Sequence, residues 1–105
     1  MTSAAASDEV SEDRFMQIVE AICASDPSLT PVSSALLAAH HLGIAKDSRT
    51  FSRNLGIAHA LVLREISAIA GEDGFLSIVG RNERTHRIEF ALTDKGKRLA
   101  DLAGS

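Results

Sequence analysis

Basic residues are concentrated in the second part of this chain. Residues 46–98 contain ten basic and seven acidic residues, whereas residues 1–45 contain one basic and six acidic residues. Arginine guanidinium groups pair with phosphates and with guanine edges, so a basic segment of this kind suits a surface that binds nucleic acid. The overall charge of −3 hides this division. A solvated surface with no partner would have the same composition, and that alternative stays open.

A polar, basic stretch over residues 80–86 lies between two apolar segments. Residues 75–79 are predicted to form one strand and residues 87–92 another, in which apolar and polar side chains alternate. The inward positions of the second strand would be Ile88, Phe90 and Leu92. We therefore expect a β-hairpin whose loop, residues 80–86, carries basic side chains.

Two short helices are predicted immediately before this hairpin. Ser48 can cap a helix that ends near Leu55, and Gly56 supplies the backbone freedom that a tight turn needs. The next helix, residues 58–70, has apolar side chains at helical spacing, namely Val62, Ile66 and Ile69. Residues 48–70 are therefore a candidate helix-turn-helix, a unit that presents one helix to the major groove of DNA.

Two helices are expected before this unit. The first would start at Asp8 and bury one face, which carries Phe15, Ile18, Val19, Ile22 and Cys23. The second is bounded by Thr30 as N-cap, Pro31 at the first helical position and Gly43 just beyond its end.

The two ends of the chain have different predicted structures. Residues 1–7 are small and polar without periodicity, which is typical of a disordered segment. At the other end, Thr93 can cap a helix over residues 93–103, with Leu99 and Leu102 on its apolar side.

A chain of 105 residues with 45% hydrophobic content suits one domain with a single core, here residues 8–105. The predicted fold class is mainly α with a small β-hairpin, about five helices and two strands. The order predicts a winged helix-turn-helix: the helix-turn-helix over residues 48–70, the wing over 75–92 and the C-terminal helix over 93–103.

Two motifs in this order resemble those of the MarR-type winged helix-turn-helix regulators. The segment Phe51-Ser52-Arg53-Asn54-Leu55-Gly56-Ile57 takes the place of the family's Leu-Ala-x-x-Leu-Gly-Leu, and Leu92-Thr93-Asp94-Lys95-Gly96 is similar to its Leu-Thr-x-x-Gly. The resemblance covers residues 28–102. It implies a transcription regulator, such as a repressor, that binds double-stranded DNA as a homodimer, with a recognition helix in the major groove and a wing at the minor groove.

The resemblance also implies which side chains would face DNA. They are Ser48, Arg49, Arg53, His59, Ala60, Leu63, Arg64, Ser67, Arg81, Arg84 and Arg87. His59 and Arg64 are the strongest candidates on the recognition helix, and Arg84 followed by Arg81 in the wing. The sequence departs from the family here, because the helix has Ala and Leu where the family has Ser, Thr or Arg, and the wing lacks the Asp-x-Arg signature.

Dimerisation is expected through apolar faces of the first and last helices. The residues concerned are Phe15, Ile18, Ile22, Leu99 and Leu102. The same side chains could instead close the core of the single chain.

Other function classes are disfavoured. The sequence has no phosphate-binding glycine loop, nucleophile elbow or metal-ligand cluster, so we expect no enzyme, no metal and no cofactor. The adjacent His40 and His41 would diverge on a helix, and Cys23 has no nearby cation to activate it. Without a signal peptide or an apolar span, we expect a cytoplasmic protein that does not enter membranes.

A second function stays open. The apolar Ala60, Leu61 and Leu63 could make the recognition helix a docking surface for a protein partner. A continuous positive surface would favour DNA, and acidic interruptions would favour the protein partner.

Overall fold

Five helices and one β-hairpin form the part of the chain that the structure describes. This structure is a computed structural model that describes the backbone of residues 3–104 and the side chains of residues 12–104. The elements in chain order are α1 (Ser3–Ser25), α2 (Pro31–His41), α3 (Ser48–Leu55), α4 (His59–Ile69), β1 (Leu76–Asn82), β2 (Arg87–Leu92) and α5 (Asp94–Gly104). The expected class, mainly helical with a small two-stranded hairpin, is confirmed.

Helix α1 begins earlier than the sequence predicts. Its first residue is Ser3, not Asp8. Of the segment expected to be disordered, Met1 and Thr2 lie outside the described residues, and the remainder belongs to the helix. Three consecutive alanines at residues 4–6 explain the longer helix, since alanine has the highest helix propensity.

Local signals set the ends of α2 and α3. Thr30 accepts a hydrogen bond from the N–H of Ser33 at 3.0 Å, which confirms it as the N-cap of α2. The N-cap of α3 is Asp47, whose carboxylate accepts from the N–H of Thr50 at 2.8 Å, so the assignment of Ser48 as the cap is wrong. Gly56 ends α3 with φ of 66°, a left-handed conformation that glycine adopts without strain.

The core lies where α1, α2 and α5 meet and continues between α4 and the hairpin. Ile18 and Ile22 are 1% and 0% exposed, and Phe15 is also buried. These three side chains therefore belong to the core of the single chain, and their prediction as dimer contacts is wrong. Leu99 packs half-buried against the same core, whereas Leu102 is 75% exposed. An apolar helix face predicts burial but not which surface covers it.

The hairpin is longer than predicted. Strand β1 continues to Asn82, so Arg81 pairs with Ile88 and only residues 83–86 form the loop. The side-chain oxygen of Asn82 accepts from the N–H groups of Arg84 and Thr85, at 3.0 and 3.2 Å, and so closes the turn. Polar composition alone had predicted a loop for residues 80–82. A bulge between Ile78 and Gly80 leaves Val79 exposed.

The predicted alternation in β2 is confirmed. Ile88, Phe90 and Leu92 are buried, whereas Arg87 and Glu89 are exposed. Thr93 accepts from the N–H of Gly96 at 3.1 Å and donates to the carbonyl of Gly74, so it caps α5 as predicted. Along residues 3–104, no helix combines the length and the apolar character needed to cross a membrane.

Candidate nucleic-acid interface

A groove of about 290 Å³ separates α4 from the hairpin. Its base is apolar, since Leu63 of α4 and Ile88 of β2 both line it. The polar groups around it are those of Ser67, Arg81, Asn82, Glu83, His86 and Arg87. The fold therefore brings Leu63 and Ser67 of α4 and the basic end of the hairpin to a single surface.

The exposed face of α4 is narrow and made of small side chains. Ala60, Arg64, Ser67 and Ala68 are exposed and follow helical spacing, so they form one stripe along the helix. Leu63 is half-buried and packs against the core. Arg64 is therefore the one charged side chain of this stripe. The residue before α4, Ala58, provides no side-chain cap, and the N–H of Leu61 donates to the Ala58 carbonyl at 3.1 Å.

The predicted arginines fall into two groups. Arg49 donates two hydrogen bonds to the carbonyl oxygen of Thr85, from Nε at 3.1 Å and from Nη2 at 2.6 Å. The Nε atom of Arg87 lies 3.7 Å from a carboxylate oxygen of Asp47. Both side chains hold the hairpin against the start of α3, so part of their donor capacity is already used.

The second group is available to a ligand. Its members are exposed, and within residues 12–104 their side chains make no hydrogen bond or ion pair: Arg53, Arg64, Arg81 and Arg84. Long, unpartnered guanidinium groups are suited to phosphate contacts.

Ser48 does not belong to the exposed interface. It is fully buried, and its Oγ atom accepts a hydrogen bond from the N–H of Ile88 at 2.9 Å. The same Oγ lies 2.8 Å from Nε2 of His59, the first residue of α4. The prediction that Ser48 contacts DNA is therefore wrong, and one ring nitrogen of His59 is occupied inside the protein.

Burial and nearby positive charge favour the neutral form of the His59 ring. Burial lowers the pKa of His59, and the positive charges of Arg49 and His86 lower it further against the opposing effect of Asp47. Burial would raise the pKa of Asp47, but hydrogen bonds from Thr50 and the charge of Arg87 outweigh it, so the net shift is downward. At neutral pH this cluster therefore contains a neutral imidazole and an ionised carboxylate.

Acidic groups interrupt the positive surface at one place in the groove. Glu83 lines the groove beside Arg81 and Arg87. Glu65, the acidic residue of α4, is turned away from the groove, because its Oε1 accepts hydrogen bonds from the hydroxyls of Thr30 and Ser33 in α2. The groove surface is thus positive overall, with a single carboxylate at the hairpin.

The remaining polar candidates have structural partners. The ring of His40 packs at 5.8 Å from that of Phe90, and His41 lies 3.6 Å from a carboxylate oxygen of Asp101. Cys23 is half-buried and donates from Sγ to the Ser34 hydroxyl at 3.1 Å. Among residues 12–104, no three His, Cys, Asp or Glu side chains come close enough to hold a metal ion.

The sequence does not predict the contacts that connect the start of α3 to the hairpin. Asp47, Ser48 and the carbonyl of Thr85 connect α3 to the hairpin over about forty positions of sequence, as in the contact of Ser48 with Ile88. The only local signal was the spacing of Asp47 and Thr50, which is typical of a helix cap. Comparison with protein-family models, curated proteins and solved structures finds no match to this chain.

Proposed function

We propose that this chain is a winged helix-turn-helix protein that binds double-stranded DNA. In this proposal α4 enters the major groove and the hairpin loop, residues 83–86, reaches the neighbouring minor groove. The observation that carries it is the shared surface: Leu63 and Ser67 of α4 and the basic end of the hairpin line one groove. An enzyme would instead need converging nucleophilic, acid–base or metal-binding groups.

The shape of α4 supports insertion into DNA. Its eleven residues span roughly 16 Å, and the major groove is about 12 Å wide, enough to admit a helix. The small side chains of Ala60, Ser67 and Ala68 allow the helix backbone to approach closely. Arg64 in the middle of the stripe can then reach a guanine edge or a phosphate.

Few side chains of α4 can contact base edges, and this decides the kind of DNA binding that we propose. Phosphate contacts supply affinity without sequence information, and arginines in a minor groove respond to its width and potential. Since Arg53, Arg81 and Arg84 outnumber the side chains of α4 that can read bases, we expect binding that depends strongly on salt and modestly on sequence.

A fluorescence-anisotropy titration with a short duplex of mixed sequence tests the proposal. We expect binding at about 50 mM salt that weakens linearly with the logarithm of salt concentration. A duplex and its separated single strands should be compared at equal nucleotide concentration. Absence of salt-dependent binding to the duplex would contradict the proposal.

A protein partner at α4 is the competing function. Leu61 and Leu63 are half-buried, and the large exposed apolar side chains in residues 12–104 lie on other elements, at Met16, Val79 and Leu102. The apolar area that α4 offers to a partner is therefore small, which favours DNA. Salt-independent binding of a protein at α4, with no DNA binding, would reverse this choice.

The MarR-type resemblance extends this proposal to a homodimer that regulates transcription. Two copies would place two α4 helices on successive major grooves of one face of DNA. Because Ile18 and Ile22 are buried in the single chain, the contact between copies would have to use other surfaces. Sedimentation equilibrium over a range of protein concentrations measures whether the chain is a monomer or a dimer.

A further inference from the structure

Three consecutive residues at the start of α3 hold the hairpin, and we call Asp47, Ser48 and Arg49 the clamp. The carboxylate of Asp47 faces Arg87, the hydroxyl of Ser48 accepts from Ile88 N–H, and Arg49 donates to the carbonyl of Thr85. The backbone continues this contact, since Lys46 accepts from Phe90 N–H at 3.1 Å and Asp47 forms a bridge with Glu89. The hairpin is therefore held at its loop and along the first four residues of β2.

Ser48 is the member of the clamp that also reaches α4. Its oxygen accepts from Ile88 N–H, so its own proton can be directed to Nε2 of His59, 2.8 Å away. This arrangement satisfies the buried hydroxyl as both donor and acceptor. It requires that Nε2 of His59 carry no proton, which places the ring proton of neutral His59 on Nδ1.

We propose that Ser48 is a positioning residue for DNA binding, whose hydroxyl fixes the hairpin relative to α4 through Ile88 and His59, and which donates to His59 only while that ring is neutral. This inference rests on the DNA-binding function proposed above. The angle between α4 and the hairpin decides whether both can reach their grooves at once, because each reads a different part of the duplex.

Protonation of His59 would reverse the direction of the contact. A protonated Nε2 donates and cannot accept, so the Ser48 oxygen would accept from both Ile88 N–H and His59, and the hydroxyl proton would lose Nε2 as its acceptor. The charged and titratable groups facing His59 are Asp47 before α3, Arg49 in α3 and His86 in the hairpin loop. The permanent positive charge of Arg49 opposes a charge on the ring, whereas the carboxylate of Asp47 favours it.

A double-mutant cycle separates positioning from direct contact. His59→Ala removes the link to α4 and leaves the Ser48 bond to Ile88 intact, so it is the main variant; Ser48→Ala is the second. Affinity for the mixed-sequence duplex is measured with and without Arg81→Ala and Arg84→Ala. If His59 acts by placing the wing, we expect about a fivefold loss with the arginines present and less than about twofold without them.

The control is a second serine variant, at a position far from the clamp. Ser77→Ala removes an exposed hydroxyl from the far end of β1 and should leave affinity unchanged. Equal fold losses from His59→Ala in both backgrounds would overturn the positioning role, since they would indicate a direct contact or a general loss of folded protein.

Nuclear magnetic resonance tests the contact without DNA. The ring nitrogens of His59 should show a proton on Nδ1 alone near pH 7.5, and the amide shift of Ile88 should titrate with the midpoint of His59 in the wild type but not in Ser48→Ala. A proton on Nε2, or an Ile88 shift that ignores this titration, would overturn the inference. If the wild type binds no duplex while both signatures are present, the proposed function fails and the Ser48 contact stands as a link between α4 and the hairpin.

Discussion

Two contact regions of this molecule are held together by different interactions. In the apolar region, where α1, α2 and α5 meet, buried side chains such as Ile22, Leu36 and Ala100 make the contact. In the polar region, the clamp residues Asp47, Ser48 and Arg49 contact the hairpin through hydrogen bonds and an ion pair.

The difference separates stability from orientation. Burial of apolar area has no direction and supplies most of the free energy of folding. A hydrogen bond adds only about 0.5–1.5 kcal/mol net but requires its groups to stay aligned. We infer that the apolar region keeps the chain folded, whereas the polar region sets the angle between α4 and the hairpin.

The largest predicted effect tests the apolar region. Ile22→Ala removes a fully buried side chain and should lower the free energy of unfolding by about 2–5 kcal/mol. Urea denaturation followed by circular dichroism measures the loss, and Met16→Ala, on the exposed side of the same helix, should lose far less. Equal losses from Ile22→Ala and Met16→Ala would show that burial in this region does not keep the chain folded.

The next largest predicted effect concerns the polar contact between α4 and α2. Glu65 of α4 accepts from the Ser33 hydroxyl at 2.9 Å and from the Thr30 hydroxyl at the start of α2. Glu65→Ala would leave the buried Ser33 without this charged acceptor and should cost about 1–3 kcal/mol in unfolding free energy.

Glu72→Ala is the matched control, because Glu72 is an exposed carboxylate between α4 and the hairpin. Equal stability of the two variants would show that α4 is held to α2 by apolar contacts alone.

Sequence predicted the features of this molecule that depend on neighbouring residues. The cap at Thr30, the turn at Gly56 and the burial of Phe90 all follow from residue type and spacing within one element. The clamp could not be predicted in this way. Ser48 and Ile88 are forty positions apart, and a serine after an N-cap residue has no property that indicates a distant partner.

Two errors have the same physical origin. The apolar face that carries Ile18 and Ile22 would look identical in a core and in a dimer, because composition reports burial and not the covering surface. The polar residues Arg81 and Asn82 predict a loop at the end of β1, yet backbone pairing with β2 needs no apolar side chain.

A change on the stripe of α4 should affect DNA and leave stability unchanged. Arg64→Ala should weaken a sequence selected for tight binding by about 1–3 kcal/mol if Arg64 contacts a base. Selection from random duplexes, followed by anisotropy titration, measures this loss, and Arg64→Lys tests the need for a bidentate donor. The same loss on every sequence would assign Arg64 to a phosphate instead.

A smaller and sequence-independent effect is expected at the hairpin. Arg84→Ala should weaken all duplexes to a similar extent and reduce the slope of log affinity against log salt by about 0.9, the value for one phosphate contact. Glu83→Gln is the neighbouring control and should strengthen binding slightly, because it removes a negative charge from the groove. An unchanged slope in Arg84→Ala would remove the hairpin loop from the interface.

The smallest predicted effect is a loss of stability as pH falls, to which His40 and His59 both contribute. Burial and the nearby charges of Lys46 and Lys97 lower the pKa of His40, and burial, Arg49 and His86 lower that of His59, both below the ordinary value of 6.5. The unfolded chain then takes up protons more readily than the folded chain. Stability is therefore at its full value above pH 6.5 and falls as pH drops below 6.5 toward the lowered pKa values.

Urea midpoints at about pH 7.5 and about pH 5.5 measure this loss of stability. Replacing one histidine at a time shows how much each contributes. His40→Gln should reduce the pH dependence without affecting the Ser48 hydroxyl, because His40 contacts Phe90 and not Ser48 or Ile88. His59→Gln should also reduce it, and in addition should make the Ile88 amide insensitive to pH, because Ile88 shares the Ser48 hydroxyl with His59. If both variants change the pH dependence of the Ile88 amide shift to the same extent, the apolar region also affects the angle between α4 and the hairpin. The proposed division of stability and orientation between the two regions is then wrong.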